Sequence, residues 1–387
     1  MKQQALTLSN EKRVIPALLW GDEESPRLFV TVHGKGGDKQ DAATTVFARA
    51  AVAAGYAVLS FDLPDHGDRR NDKPGNLLQA ISDLVAVCQF ARTLAEDVGV
   101  FALGFGAYLT MSAYAKLPIN WLLLAAPEVD MVRILRTMLQ QAGATPAQLE
   151  KEGSVWTDEG WEVNWNYYSY AMENPVIYDA CCPMDVLYGR RDSLVQLEEV
   201  ERFVACHHGR LTVAEAGDHE FINEEALKEL QTWVDAYFAE KGRVEELIDS
   251  LTHRERSVAR AARAQLLEMS RVSNRISVWL PEFFRLLDHS NSRVRSRALQ
   301  LIAANARWDE DGLLEKELDR YLRHLQDEKA LTVRECIAGI RVIAGAKPRL
   351  RQRLLTALSA VEPDRYAESM ARLLEKDAAE AEEFLRK

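Results

Sequence analysis

The sequence predicts an α/β fold with a doubly wound, mostly parallel sheet, followed by a separate all-α domain. Three observations carry this reading. Short apolar or β-branched runs alternate with helical patterns as far as Lys241. Beyond it the strand signal disappears and helix formers dominate. The charge divides at the same place: Arg243 onward holds 27 Lys+Arg against 24 Asp+Glu, a net of +3, whereas residues 1–242 carry −14. A length of 387 residues accommodates two such domains, expected at 1–242 and 243–387.

In the first part six runs read as buried strands: Arg27 to His33, Tyr56 to Leu63, Val98 to Leu103, Trp121 to Ala125, Met184 to Gly189 and Arg210 to Ala214. Helical patterns such as Asn76 to Ala95 and Leu194 to Ala205 lie between them. That alternation predicts a parallel sheet, whose ligands collect at the carboxyl ends of the strands. The residues at those ends are His33-Gly34-Lys35-Gly36-Gly37, Phe61-Asp62-Leu63-Pro64-Asp65-His66-Gly67, Gly189-Arg190-Arg191-Asp192 and Gly217-Asp218-His219-Glu220-Phe221.

HG-x-GG after an early strand, an Asp after a late one and a His after the last resembles, in chain order, the α/β-hydrolase superfamily. Within it the chain is similar to small bacterial esterase-like or dienelactone-hydrolase-like members, over residues 5–240. The resemblance implies that Asp192 orients His219 and that backbone N–H groups at Gly34 or Lys35 and at Phe105 form an oxyanion hole. The family's elbow reads approximately G-x-S-x-G-A-Y. Aligned without gaps to Ala102-Leu103-Gly104-Phe105-Gly106-Ala107-Tyr108, it puts Gly104 at the nucleophile position; a second register puts Gly106 there. Neither supplies Ser, Cys or Asp.

Elbow chemistry needs an oxygen or sulfur on a sharp turn, beside the imidazole that takes its proton. Glycine has no such atom. It also largely avoids the backbone strain of that turn, of order 1 to 3 kcal/mol. The sequence therefore predicts an esterase-like pseudo-hydrolase with a degenerate Ser-Asp-His triad. Asp192 and His219 then read either as an inherited scaffold pair or as catalytic groups. Two alternatives stay open. One is an active esterase using His219-activated water or a relocated nucleophile, with Ser60, Thr110 and Ser112 as fallbacks; the other is a non-catalytic interaction scaffold. Asp62 and His66 read as shaping their turn and the pocket edge.

An insertion at about 128–175 reads as a lid. Six aromatics fall within residues 156–170, and Trp156, Trp161, Trp165 and Tyr168 are candidates for lining a pocket for a small acyl or ester-like ligand. They are equally candidates for gluing the lid to the core, and spacing does not separate the two.

In the second part three segments superimpose, beginning at Leu251, Leu287 and Leu325, with Val258, Val294 and Val333 in register. Helix pairs repeating at about 40 residues resemble a short HEAT-like solenoid, which implies a protein partner on its surface. Between Arg254 and Arg307 there are 11 Lys+Arg against four acids. The overall charge of −11 argues against nucleic acid, so this cluster reads as facing the acidic domain or an acidic partner. No phosphate loop or nucleotide fingerprint appears, and no cofactor or metal is expected; Cys206-His207-His208 reads as a surface turn. The five cysteines read as reduced thiols, and no apolar run approaches the roughly 18 residues of a membrane span, so a cytoplasmic protein without a membrane partner is expected.

Overall fold

The computed structural model describes residues 1–72, 77–158, 160, 162–176 and 182–387. The chain forms two compact units, Met1–Ala239 and Glu240–Lys387. The division falls inside one continuous helix rather than in a linker.

The first unit is built on eight strands of one sheet: β1 (Gln3–Asn10), β2 (Arg13–Trp20), β3 (Arg27–Val32), β4 (Ala57–Phe61), β5 (Asp97–Leu103), β6 (Trp121–Ala125), then β9 (Met184–Gly189) and β10 (Arg210–Ala214). A separate antiparallel pair, β7 (Ser154–Trp156) and β8 (Glu162–Asn164), lies in the insertion. The order across the large sheet is β1-β2-β4-β3-β5-β6-β9-β10, antiparallel at β1, β2 and β4 and parallel from β4 to β10. The chain leaves β3 toward β4 on one side and returns to β5 on the other. The carboxyl ends of β3 and β5 therefore flank the point where strand order reverses, the place where such sheets form sites.

Helices α1 (Ala42–Ala53), α2 (Leu77–Leu94), α3 (Phe105–Ala113) and α7 (Leu197–Cys206) connect the strands, and α8 (Glu224–Ser250) follows β10. Side chains alternate across β3: Leu28, Val30 and Val32 join the core of α2 and α3, while Phe29 meets Phe47 of α1 and Phe238 of α8 at ring separations of 5.3 and 5.7 Å. Burial on both faces explains why these strands read as continuous apolar runs. Helix α2 is long and apolar enough to cross a membrane, but it packs on α3, β1, β3 and β5. The insertion consists of α4 (Met131–Gln141), α5 (Pro146–Glu152), β7, β8 and α6 (Trp165–Glu173).

The second unit contains α9 (Arg256–Val272), α10 (Leu280–Leu286), α11 (Ser292–Asn305), α12 (Leu313–Lys316), α13 (Leu318–Leu322), α14 (Ala330–Ala346), α15 (Arg351–Leu358) and α16 (Glu368–Arg386). Helix α11 packs on α9 and on α14, and α14 packs in turn on α16. Val294 and Val333 are buried in this core and Val258 is half-buried. The arginines that follow the two buried valines reach carboxylates farther along the chain, Arg295 to Asp327 and Arg334 to Asp377.

Candidate functional site

Strand β5 ends at Leu103 and α3 begins at Phe105, so Gly104 alone makes the turn, at φ +50° and ψ −114°. A positive φ is open to glycine and strained for a residue with a side chain. A Cβ placed on Gly104 would stand 3.2 Å from His219 Nε2 and 3.7 Å from Glu128 Oε1. Gly106 serves a different purpose: a Cβ there would come within 2.4 Å of the His33 carbonyl oxygen, so this glycine lets α3 approach the end of β3. Of the two registers, Gly104 is the position that faces the imidazole.

Asp192 follows β9 and His219 follows β10, two parallel neighbours. Their loops are tied together by the N–H groups of Arg190 and Arg191, which donate to the carbonyls of Ala214 and Gly217, both at 2.8 Å. Asp192 Oδ1 accepts from the N–H groups of Leu194 and Val195 at 2.8 and 2.9 Å, which leaves Oδ2 for His219 Nδ1 at 2.8 Å. The Asp192 and His219 side chains expected to meet do meet.

The other imidazole nitrogen has a partner that no sequence motif singles out. His219 Nε2 lies 3.4 Å from Oε1 of Glu128, whose side chain is only 7% exposed. Glu128 follows β6 through Ala126, at φ +42°, and Pro127. Its only signal in the sequence is its place, just past the carboxyl end of a fully buried strand. Burial works against a charged imidazole at this position, but the hydrogen bonds and charges of Asp192 and Glu128 outweigh it and push the His219 pKa up to about 10. A ring protonated on both nitrogens donates twice and accepts nothing, the reverse of what a general base requires.

Gly34 is buried beside the elbow: a Cβ on it would lie 3.5 Å from the Leu103 carbonyl oxygen, whereas the neighbouring Lys35 is exposed. The Phe105 N–H belongs to the first turn of α3, where backbone donors have no acceptor within the helix. His33 fixes this corner, its Nδ1 donating to the Gly34 carbonyl at 2.8 Å and its Nε2 accepting from the Leu63 N–H at 3.1 Å. Burial lowers its pKa to about 4, only partly offset by the Gly34 bond. Asp62 is a turn residue: it accepts from the Lys39 and Asp68 N–H groups at 2.9 and 3.0 Å and from Lys39 Nζ at 2.6 Å. His66 donates to the Pro64 carbonyl in the same loop. Among the fallback nucleophiles, Ser60 accepts from Trp20 Nε1 and Thr110 donates back to the Gly106 carbonyl, while Ser112 lies farther along α3.

The aromatic candidates of the insertion go to different places. Trp156 is 62% exposed; Trp165 stacks on Tyr168, and Tyr168 is buried with its hydroxyl accepting from Arg136 Nε at 2.9 Å. Trp161 lies outside the described residues. Among the described aromatics of the insertion, Tyr167 packs on the elbow helix, its ring 6.0 Å from that of Phe105 and 6.1 Å from that of Tyr108. Burial, with the negative charge of Glu128 adding to it, holds the phenols of Tyr108 and Tyr167 well above their ordinary range. Two surface depressions, of about 410 and 250 Å³, are lined around Arg13 and Gln79 and around Leu331 and Arg341. Gly104, Glu128 and His219 line neither. Among the described residues no three His, Cys, Asp or Glu side chains are placed to hold a metal ion.

Solved structures with the α/β-hydrolase fold match the N-terminal part of the chain. Est1E from Butyrivibrio proteoclasticus, solved with ferulic acid bound, superposes with a TM-score of 0.54 at 18% identity, covering 61% of this chain and 98% of its own. A putative hydrolase from Agrobacterium vitis S4 gives 0.51 at 17% identity, with coverages of 61% and 98%. The mouse alpha/beta hydrolase domain-containing protein 10 gives 0.51 at 14%, with coverages of 61% and 99%. No family model and no curated protein matches the chain.

Proposed function

We propose that this chain is a pseudo-hydrolase: a hydrolase-fold protein that has lost the elbow nucleophile and acts by binding rather than by turnover. The observation that carries this reading is the place of Gly104, a residue without a side-chain oxygen or sulfur at the turn that faces His219. Glu128 adds to it. A second carboxylate on the imidazole favours the charged ring, so even a water at this position would meet a proton donor instead of a base.

Two binding roles follow. The family resemblance assigns Gly34 and the Phe105 N–H as donors to an acyl oxygen, and Est1E, which shares the fold, was solved with ferulic acid bound; a small acyl or ester-like ligand, under an insertion at about 128–175 read as a lid, is the corresponding candidate here. The helices of the second unit, read as HEAT-like repeats, are the candidate surface for a protein partner.

The test is hydrolysis of p-nitrophenyl acetate, butyrate and octanoate by the full chain, Gly104→Ser and His219→Ala. The expected result is a background rate for the full chain and for His219→Ala. Turnover by the unmodified chain that disappears in His219→Ala overturns the proposal and points to a working hydrolase that uses His219-activated water or a relocated nucleophile.

A further inference from the structure

Most arginines of the second unit are neutralised. Arg271 pairs with Glu268, Arg285 with Glu282, Arg295 with Asp327, Arg334 with Asp377 and Arg353 with Asp319. Arg243, Arg254, Arg307 and Arg351 form no ion pair among the described residues, and neither do Arg256, Arg260 and Arg263 of α9 or Arg293 and Arg297 of α11, five arginines carried by two helices that pack on each other. Their spacing is regular. Positions 256, 260 and 263 lie along one face of α9, and 293, 297 and Gln300 lie along one face of α11.

The two faces meet. Arg263 crosses from α9 to donate to Gln300 Oε1 at 2.9 Å, while its Nε is buried without an acceptor. Arg297 donates to the Leu251 carbonyl at 2.6 Å, a neutral partner. Burial, and then the charges of Arg263 and Arg293, hold the Arg297 guanidinium below its ordinary pKa. Arg256 with Arg260 and Arg293 with Arg297 are like charges one helical turn apart, an arrangement that destabilises a helix. These like charges face one another with no carboxylate of the chain paired to them.

We propose that the arginine stripe formed by Arg256, Arg260 and Arg263 of α9 with Arg293 and Arg297 of α11 is a docking surface for an acidic segment of a protein partner, whose carboxylates complete the ion pairs this unit lacks there. Carboxylates are the partners of the unit's paired arginines, and the guanidinium fork suits them bidentately. A nucleic acid fits less well. No aromatic side chain stands in either row to stack a base, and a long polyanion would also meet the rest of a chain with net charge −11. This inference does not depend on whether the first unit turns over ester.

The test is isothermal titration of the full chain with a ten-residue polyglutamate peptide at 50 and 300 mM salt, beside the variant Arg256→Gln/Arg260→Gln/Arg293→Gln. These three side chains are exposed and have no ion pair within the chain, so the variant is expected to keep the circular dichroism of the unmodified protein. Expected are binding at 50 mM salt that weakens at least tenfold at 300 mM, and at least tenfold weaker binding by the variant. Absence of peptide binding at 50 mM salt, unchanged binding by a folded variant, or tighter binding of a ten-nucleotide RNA than of the peptide each overturns the proposal.

Discussion

His219 Nε2 lies 3.4 Å from Glu128 Oε1, on the side of the ring that faces Gly104. With Asp192 on Nδ1, the ring stands between two carboxylates, and its positive charge is what both of them favour. At pH 7.5 a group with a pKa near 10 is neutral in only about one molecule in 300. The folded pKa is raised above the unfolded value, so the ring's contribution to stability is complete below about pH 6.5 and is lost as pH rises through about 10. Nitrogen-15 spectra of the imidazole should therefore show both ring nitrogens protonated at pH 7.5. A single-proton tautomer there would refute the clamp.

Restoring an oxygen at the elbow does not by itself restore a base. Gly104→Ser places its Cβ 3.2 Å from His219 Nε2, within reach of a seryl hydrogen bond, but Glu128 still holds the imidazole charged. Glu128→Gln removes that charge while keeping the volume and leaves the Asp192 contact intact. The double variant Gly104→Ser/Glu128→Gln is expected to hydrolyse p-nitrophenyl butyrate at least tenfold faster than Gly104→Ser alone, with the difference shrinking as pH rises toward 10. Equal rates for the two variants at pH 7.5 would show that Glu128 does not govern the base.

The fold was legible where burial writes itself into composition. Strands β6 and β9 begin and end where the apolar runs do, because a strand covered on both faces has few polar positions to blur its limits. The hairpin β1–β2 was not legible. Much of β1 is exposed, so Gln3–Asn10 carries no apolar run, and its two-residue turn at Glu11 and Lys12 has Glu11 at φ +56° where a glycine would have announced it. Asp192 and His219 were readable because each follows a strand in a known chain order. Glu128 was not: one carboxylate after Pro127 belongs to no spacing pattern, and only the packing of β6 beside β5 brings it to Gly104. Tyr167 was hidden similarly among six aromatics, since helical phase inside α6 decides which ring turns toward Phe105.

His33 gives the first unit a pH-dependent contribution to stability. Its folded pKa, near 4, lies below the ordinary 6.5, so the unfolded chain binds the extra proton between these values. The neutral ring's contribution is thus fully present above about pH 6.5 and is lost as pH falls toward 4, a difference of about 3 kcal/mol. In urea unfolding of the full chain at a series of pH values, His33→Gln should be less stable at pH 7.5, because the Leu63 bond is altered, yet should lose less on acidification to pH 4.5. Parallel losses in the two proteins would remove His33 from the account.

The Arg295–Asp327 pair offers a measure of how strongly neighbouring segments of the second unit depend on each other. Arg295 donates to both carboxylate oxygens at 2.7 and 2.8 Å and to the His289 and Ser290 carbonyls, and the two side chains are 10% and 3% exposed. Removing Asp327 leaves a guanidinium in a site of low exposure with only the exposed Glu328, at 3.5 Å, as counter-charge, and also frees the Lys329 N–H, so Asp327→Ala should cost about 3 kcal/mol. The Arg334–Asp377 pair, between α14 and α16, is 35% and 22% exposed, and water screens it, so Arg334→Ala should cost about 1 kcal/mol or less. Replacing the buried pair together, as Arg295→Met with Asp327→Leu, should cost less than Asp327→Ala alone, since no unpaired charge remains. Urea unfolding followed by helical circular dichroism separates these outcomes. If Asp327→Ala and Arg334→Ala were equally mild, the buried pair would be a passenger, and the stability of the unit would rest on its apolar seams alone.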